Sequence, residues 1–285
     1  MYDDYAESPY ERVAALLRQM GLQADTIGLE KTYVSAARWE EMQRFFPGAR
    51  LVDCTELMAQ VRWVKTPGEI QVLKEAANLL DDAYLEVFPT VRPGETERDV
   101  HSRLVESCIR RGAQWVHGIL NSSRNTVAYG GEGDTVLQAG DIIRNDYVAY
   151  SHGYPGHQSR TVILGQPSTD QQRTYRRMRD IYRRTIDQCH VGVKTSAIHA
   201  FAVEQFRAHG YHDRVSLVGH GVGPWWHQQE PYLVSTCHQA LEEGMVLALE
   251  PHVGYWHIQD LILVTPAGPK VLSDRFSTDE MFVID

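Results

Sequence analysis

The chain has 285 residues, 43% of them hydrophobic, and a formal net charge of −9 at pH 7. This length is sufficient for a full hydrophobic core in one large domain or two. The acidic balance argues against nucleic-acid binding, which requires a basic patch that neutralises phosphates. We interpret the densest basic run, residues 173–185, as the solvated face of a helix.

Three further features of the sequence predict a cytoplasmic protein. No apolar run reaches 18 residues, so we expect no membrane span. The four cysteines lie far apart without a CxxC pair, which is typical of thiols in a reducing compartment. The first twelve residues lack the basic and apolar regions of a signal peptide.

The first 63 residues predict a small piece of mixed structure. In chain order it contains a helix near Pro9–Gly21, a strand at Thr26–Leu29, a helix near Val34–Phe46 and the strand-like "ARLVDC". This segment is short for a domain with its own sheet. We therefore interpret residues 1–63 as a truncated N-terminal subdomain and residues 64–285 as the main domain.

The main domain begins at the segment "KTPGEI". Thr66 can cap a helix, Pro67 suits its first position and Glu69 completes a capping box, so we predict a helix that runs to about Val87. A second helix is expected from Thr96 to Gly112, followed by the strand "DIIRNDYVAY". Two more helices (169–189 and 196–209) and the strands "VSLVGHG", "MVLALEPHV" and "HIQDLILVT" complete the chain.

The order of these elements repeats. Residues Gly94–Gly112 align without gaps on Gly192–Gly210 at an offset of 98, and both halves read as helix, helix, strands. The sequence therefore predicts an α/β (α+β) fold built from two pseudo-symmetric halves. We expect a site where the halves share a sheet.

Polar residues of the types used in catalysis and metal binding follow the strands of both halves. Taken singly, each histidine is more often a hydrogen-bonded structural residue, and Trp225 and Trp226 are as easily core residues. An acid after the apolar "VLAL" is costly, however, unless it is paired or metal-bound. The residues that together suggest a site are Asp146, His157, His220, His227, Glu250, His252, His257, Gln259 and Asp260.

The spacing of these residues resembles the family of creatinase, aminopeptidase P, prolidase and methionine aminopeptidase. The segments "VRWVKTPGEI", "GDIIRNDYVAYSHGYPGHQSRT", "GHGVGPWWH", "GMVLALEPHV" and "IQDLILVT" carry the resemblance, which extends from Trp63 to the C-terminus. The resemblance implies the pita-bread fold, in which helices flank a curved antiparallel sheet. Residues 1–63 look like the rear part of the family's usual N-terminal domain.

The family's metallopeptidases hold two divalent metals with Asp, Asp, His, Glu and Glu. By resemblance these positions fall, in that order, on Asp146, His157, His220, Glu250 and Gln259. A second family histidine, which contacts substrate, falls on His227. The histidine proposed as the base in creatinase falls on Tyr129. The chain therefore departs from the family at His157, Gln259 and Tyr129.

The charge that remains argues against a dinuclear metal site. Only Asp146 and Glu250 are still carboxylates, and both bridging carboxylates are absent. Their charge can be balanced by one dication or by imidazolium forms of His157 and His220. In the interpretation we favour, the site is metal-free and creatinase-like, with no cofactor. His157 then activates water, Glu250 orients it, and His220 and His227 donate hydrogen bonds.

Two other interpretations stay open. One divalent metal (Zn, Mn or Fe) can be held by His157, His220 and Glu250, which Asp146 can join, with Gln259 in support. Alternatively, the chain is a non-catalytic binding protein on the same fold.

The favoured function is hydrolysis of a C–N bond in a small amide, amidine or urea-like molecule, and an Xaa-Pro metallopeptidase is the alternative. Substrate contacts are expected from Tyr129, Trp225, Trp226, His257 and Gln259. The resemblance also implies a homodimer. We expect a small-molecule substrate and neither nucleic acid nor membrane as a partner.

Overall fold

The computed structural model describes residues 8–22, 25–127, 131–212 and 215–285, and the chain divides into the units Met1–Arg62 and Trp63–Asp285. In the first unit, the parallel strands β1 and β2 pair with each other, and Ala14, Met42 and Phe46 form a buried apolar cluster. Its elements are α1 (Pro9–Gln19), β1 (Thr26–Leu29), α2 (Ala36–Phe45), β2 (Arg50–Asp53) and α3 (Thr55–Trp63), whose last residue opens the second unit.

The described residues of the second unit contain two five-stranded sheets, a two-stranded β10–β11 hairpin and four α-helices. One sheet has the order β14-β6-β4-β3, with β5 also paired to β4, and the other has the order β13-β12-β9-β7-β8. The elements are α4 (Pro67–Val87), a 3-10 turn (Phe88–Thr90), α5 (Glu97–Arg110), β3 (Trp115–Ser122), β4 (Ile142–Ser151), β5 (Tyr154–Gln158), β6 (Thr161–Leu164), α6 (Thr169–Ile186), α7 (Thr195–Ala208), β7 (Gly219–Gly221), β8 (Gln229–Tyr232), β9 (Val246–Leu249), β10 (His252–Val253), β11 (Trp256–His257), β12 (Asp260–Leu263), β13 (Lys270–Val271) and β14 (Phe282–Ile284). Across these described ranges, every helix is too short or too polar to cross a membrane.

The predicted repeat is visible in the helices of the second unit. Helix α5 and helix α7 begin and end at residues that differ by the same offset of 98. Gly112 and Gly210 follow these helices with φ angles of 99° and 86°, a backbone region that favours glycine. The α/β class and the internal repeat expected from the sequence are therefore confirmed.

Helix α4 begins as its sequence predicts. The Thr66 hydroxyl accepts from the Glu69 amide while the Glu69 carboxylate accepts from the Thr66 amide, so both halves of the capping box are present. Helix α3 was not predicted from the sequence.

The last predicted strands are shorter than expected. "VSLVGHG" forms a strand only at Gly219–Gly221, and "MVLALEPHV" is interrupted after Leu249, where Pro251 cannot donate a ladder hydrogen bond. The predicted strand "HIQDLILVT" is not continuous, because it is interrupted between His257 and Asp260. At this interruption the chain leaves its own ladder and pairs with the other sheet.

An antiparallel bridge joins the two sheets at Ser159 and Gln259. Their backbone amides donate to each other's carbonyls at 3.2 and 3.1 Å. The adjacent guanidinium of Arg160 is fully buried and donates to Asp81 on α4 at 2.7 Å and to Asp260 on β12 at 2.8 Å. Side chains that follow β5 and precede β12 are thereby brought together.

Helix α4 lies so close to β5 that only glycine fits at position 156. A methyl group on Gly156 would lie 2.8 Å from the Ala77 amide nitrogen and still closer to the Ala76 carbonyl. Because side chains alternate along a strand, the side chain of His157, the next residue, points to the face of the sheet away from the helix.

Gly156→Ala should destabilise the fold by about 1–3 kcal/mol, because the added methyl group meets backbone that cannot move aside. Chemical denaturation measures the change. Gly68→Ala is the control, since a methyl group there meets nothing within 4 Å and removes a helical glycine. Equal stability of the two variants would contradict the proposed close contact.

Lys65 is buried just before α4. Its Nζ donates to the Trp63 carbonyl at 2.9 Å, and burial lowers the pKa of Lys65 to about 7, against a smaller opposing effect of Glu69. In the unfolded chain, Lys65 has its ordinary pKa of 10.5. Between pH 7 and 10.5, Lys65 is therefore mostly protonated in the unfolded chain and mostly neutral in the folded chain, so folding releases a proton.

The free energy of unfolding should therefore rise with pH above 7 by up to about 1.4 kcal/mol per pH unit from this group. Lys65→Met removes that contribution. The free energy of unfolding of each protein is measured by urea titration. We expect the variant to exceed the native chain by most at pH 7 and by less at pH 9.5. A difference that does not change with pH would rule out a buried, neutral Lys65.

Candidate active site

The candidate site lies where the two sheets meet and is lined mainly by histidines. Asp146 and His157 come from β4 and β5 of the first sheet, and His220 and Glu250 come from β7 and the end of β9 in the second sheet. All but Asp146 are buried, and Asp146 is half-buried. The structure thus brings together four of the predicted site residues from both halves of the repeat.

Asp146 and His157 form a hydrogen-bonded pair. His157 lies opposite Val148 in the β4–β5 ladder, which places it diagonally across from Asp146 on one face of the sheet. Its Nε2 is 3.1 Å from Asp146 Oδ1, and its Nδ1 has no hydrogen-bond partner among the described residues. Burial alone would raise the pKa of Asp146, but the contact with His157 outweighs it and lowers that pKa.

Glu250 lies between two imidazoles. Its Oε1 is 3.6 Å from His220 Nε2 and its Oε2 is 3.6 Å from His257 Nε2. His220 Nδ1 donates to the Gly221 carbonyl at 2.9 Å, which leaves the lone pair of the neutral ring on Nε2. Burial lowers the pKa of His220 and raises that of Glu250, while each opposes the shift of the other. The lowered pKa of His220 disfavours the imidazolium form considered from the sequence.

His227 extends the group of imidazoles outward. Its ring centroid is 4.7 Å from that of His157 and 5.0 Å from that of His117. Burial, together with neighbouring histidines, lowers the pKa of His227 to about 2, so the ring is neutral near pH 7. His117, on β3, was not singled out from the sequence, because the register that places it beside His227 cannot be read from composition or spacing.

Two further residues contribute to the site, of which only Arg144 was not identified from the sequence. Arg144 is buried on β4, two residues before Asp146 and on the same face, and its charge contributes to the lowered pKa of that carboxyl. His252 lies on β10, where its Nδ1 donates to the Glu250 carbonyl at 2.9 Å. Burial lowers the pKa of His252 to about 4 and that of His257 to about 3. The interrupted strand after Leu249 is the sequence signal that could have placed His252.

The remaining predicted residues differ in how close they lie to this group. The Gln259 Oε1 accepts from the Ser159 hydroxyl at 2.9 Å, so this amide is held at the join of the sheets. Trp226 is half exposed with its ring centroid 5.1 Å from that of His227, whereas Trp225 is 78% exposed and therefore not a core residue. Tyr129 lies outside the described residues.

The described residues contain one arrangement that could hold a metal ion, and it shares only Glu250 with the predicted ligands. One potential ligand atom each of Glu250, His252 and His257 lies within 4.8 Å of the other two. His157, predicted as a ligand of a single metal, contacts Asp146 instead and lies outside this three-residue group. The described residues therefore offer one three-ligand set, on the β10–β11 side of Glu250.

Comparison with known proteins supports the resemblance seen in the sequence. The chain is 25% identical over 260 residues to an Xaa-Pro dipeptidase of Pyrococcus furiosus, covering 87% of this chain and 74% of that protein. It is 27% identical over 285 residues to an Xaa-Pro dipeptidase of Lactobacillus helveticus, covering 94% and 76%. The crystal structure of an X-Pro aminopeptidase from Thermotoga maritima superposes with a TM-score of 0.88 at 23% identity, covering 99% of this chain and 81% of that one. This likeness confirms the pita-bread fold.

Two family models match the sequence. The creatinase/prolidase N-terminal domain matches residues 1–64, and metallopeptidase family M24 matches residues 71–266. Because the second match covers more than half of the chain, the chain belongs to metallopeptidase family M24 and is a hydrolase.

Proposed function

We propose that the chain hydrolyses the C–N bond of small peptides, with Xaa-Pro dipeptides as the substrate class. The observation that carries the proposal is the Asp146–His157 pair, which stands at two family ligand positions and leaves His157 Nδ1 without a partner among the described residues. The relatives named Xaa-Pro dipeptidase support the choice of substrate. The sequence alone favoured a small amide, amidine or urea-like substrate, with an Xaa-Pro peptide as the alternative. We now place the Xaa-Pro peptide first.

The family's pair of divalent metals does not fit these residues. A neutral imidazole has one lone pair, so His157 cannot bridge two ions as a carboxylate does. At the other bridging position, the Gln259 amide oxygen already accepts from Ser159 at 2.9 Å. The reaction proposed for this chain therefore does not use a pair of metal ions.

His157 is placed to act as the general base. If its Nε2–H donates to Asp146, the lone pair lies on Nδ1, as a carboxylate fixes the tautomer of a catalytic histidine. Nδ1 takes a proton from water while the water oxygen bonds to the peptide carbonyl carbon. The imidazolium then returns that proton to the nitrogen as the C–N bond breaks. The nitrogen of any peptide bond needs this proton to leave as an amine, and the proline nitrogen then leaves as a secondary amine.

The surrounding residues orient substrate and stabilise charge. His220 and Glu250 face the same space from the second sheet, where they can position the water and the reacting carbonyl. His227 can donate a hydrogen bond to the oxyanion, because its neutral ring lies 4.7 Å from His157. The half-exposed Trp226 beside it offers an apolar face on which a proline ring can pack.

Hydrolysis of a small amidine or urea-like molecule is the second candidate. The observation that favours it is the replacement of both bridging carboxylates, by His157 and Gln259, in a chain whose fold is otherwise that of the family. The homodimer and the cytoplasmic location expected from the sequence stay predictions, as does the interpretation of residues 1–63 as a truncated subdomain.

The test is a comparison of substrates with one purified protein. Release of amino acids is measured from Ala-Pro and Leu-Pro, with Ala-Ala and Leu-Ala as matched peptides that lack proline. Creatine and simple ureas represent the second candidate. Preferential cleavage of the proline peptides supports the proposal, whereas turnover of creatine or urea alone, or of no substrate, would contradict it.

His157→Ala should reduce kcat at least about a hundredfold, because general acid–base catalysis contributes roughly 10²–10⁴-fold. We expect a melting temperature within a few degrees of the native value. His190→Ala, which removes an exposed histidine, is the control and should retain full activity. A fully active His157→Ala protein would exclude His157 as the base.

The double variant His157→Asp with Gln259→Glu restores the family's five ligands. We expect it to bind Mn²⁺ or Co²⁺ with two ions per chain, because both bridging carboxylates are then present. Isothermal titration calorimetry measures the stoichiometry, with Gln259→Glu alone as the control. Failure of the double variant to bind a second ion would mean that the positions of the ligands, and not only their identities, differ from those of the family.

A further inference from the structure

The short β10–β11 hairpin carries two histidines that lie directly opposite each other. His252 pairs with His257 and Val253 pairs with Trp256, and Gly254 in the intervening turn has a φ angle of 55°. Directly opposed residues in an antiparallel pair present their side chains on the same face. The two imidazole centroids are 4.7 Å apart, so both rings border the same small space.

Glu250 adds a carboxylate to this pair. It lies two residues before His252, and its Oε2 is 3.6 Å from His257 Nε2. One ligand atom from each of the three residues lies within 4.8 Å of the other two. Ligands around a tetrahedral zinc ion, at metal distances of about 2.1 Å, stand about 3.4 Å apart, so small side-chain rotations are sufficient to close the triad on one ion.

The hydrogen bonds of the two histidines suit metal binding. His252 Nδ1 donates to the Glu250 carbonyl, which leaves the lone pair on Nε2, and this is how the outer nitrogen of a metal-bound histidine is usually held. His257 is wholly buried, and neither of its ring nitrogens has a hydrogen-bond partner in the described part of the chain. Unpaired buried nitrogens are costly, and a bond from one of them to a metal removes part of that cost.

We infer that Glu250, His252 and His257 form a mononuclear site for a divalent transition-metal ion. This site lies on the Oε2 side of Glu250, away from His220, which is 3.6 Å from Oε1. It shares only Glu250 with the five positions that the family uses. Asp146 and His157 remain bonded to each other and are not ligands.

The ligand set and its surroundings indicate the kind of ion. Two imidazoles and one carboxylate are typical of Zn²⁺ and also accept Co²⁺ and Fe²⁺, whereas Mg²⁺ and Ca²⁺ prefer oxygen ligands. The three ligand atoms lie within 4.8 Å of one another, which is the spacing of a site for one ion. The inference does not depend on the proposed substrate, because binding is measured without substrate.

The test uses Co²⁺ as a spectroscopic probe and Zn²⁺ as its competitor. Protein purified without an affinity-tag metal and dialysed against a chelator is titrated with Co²⁺ while visible absorption is recorded. We expect one equivalent of Co²⁺ with the intense absorption of a four-coordinate nitrogen and oxygen site, displaced by one equivalent of Zn²⁺. Absence of Co²⁺ and Zn²⁺ binding would overturn the inference.

Four variants locate the ion. His252→Ala, at a half-buried position in the hairpin, should weaken Co²⁺ binding by at least about tenfold, since loss of even an outer-shell partner costs that much. His257→Gln should do the same, and His252→Ala carries the test alone if the buried substitution prevents folding. His157→Ala and His190→Ala should bind as the native chain does. Native-like binding by folded His252→Ala, or loss of binding in His157→Ala, would place any bound ion elsewhere and overturn the inference.

Discussion

The buried guanidinium of Arg160 is the interaction on which the rest of the second unit depends. It binds Asp81 of α4 and Asp260 of β12 and donates to the Gln259 carbonyl at 2.7 Å, so one side chain connects a helix with both sheets. The hydroxyl groups of Tyr182 and Ser273 also donate to Asp260, which helps compensate for two carboxylates around one cation. Removal of one member of such a buried group typically costs about 3–5 kcal/mol. The bridge at Ser159, and the site beside it, stay in register only while this group is intact.

Much of the architecture could be predicted from local signals. The capping box of Thr66 and Glu69 determines where α4 begins, and glycines at matching positions end the two repeated helices. His157, His220 and Glu250 were identified because their spacing resembles that of a known family, and the structure brings them together. These signals are carried by neighbours in sequence or by motifs of fixed length, so they can be recognised without coordinates.

The parts that could not be predicted depend on pairing between distant or interrupted strands. His117 reaches His227 only through the register of β3 with β4, and His252 faces His257 only because the chain turns back at Gly254. The sequence suggested two continuous strands, "MVLALEPHV" and "HIQDLILVT", where the structure has β9, the β10–β11 hairpin and β12. The ladder is interrupted there because Gln259 pairs across the sheets with Ser159, a contact between residues 100 positions apart. The sequence therefore identified residues that lie near the site, but not which of them face one another.

The pocket draws on both halves of the repeat, and this has a consequence for how such a protein can arise. Asp146 and His157 belong to the first half, and His220 and Glu250 belong to the second. A chain of half the length would contribute the residues of one side of the site and would lack a complete set of reacting groups. An ancestor of that size could have worked only as a pair of identical chains, with two equivalent pockets. Once the halves were fused, the site residues of each half could be substituted independently, and an asymmetric set of imidazoles and carboxylates could evolve.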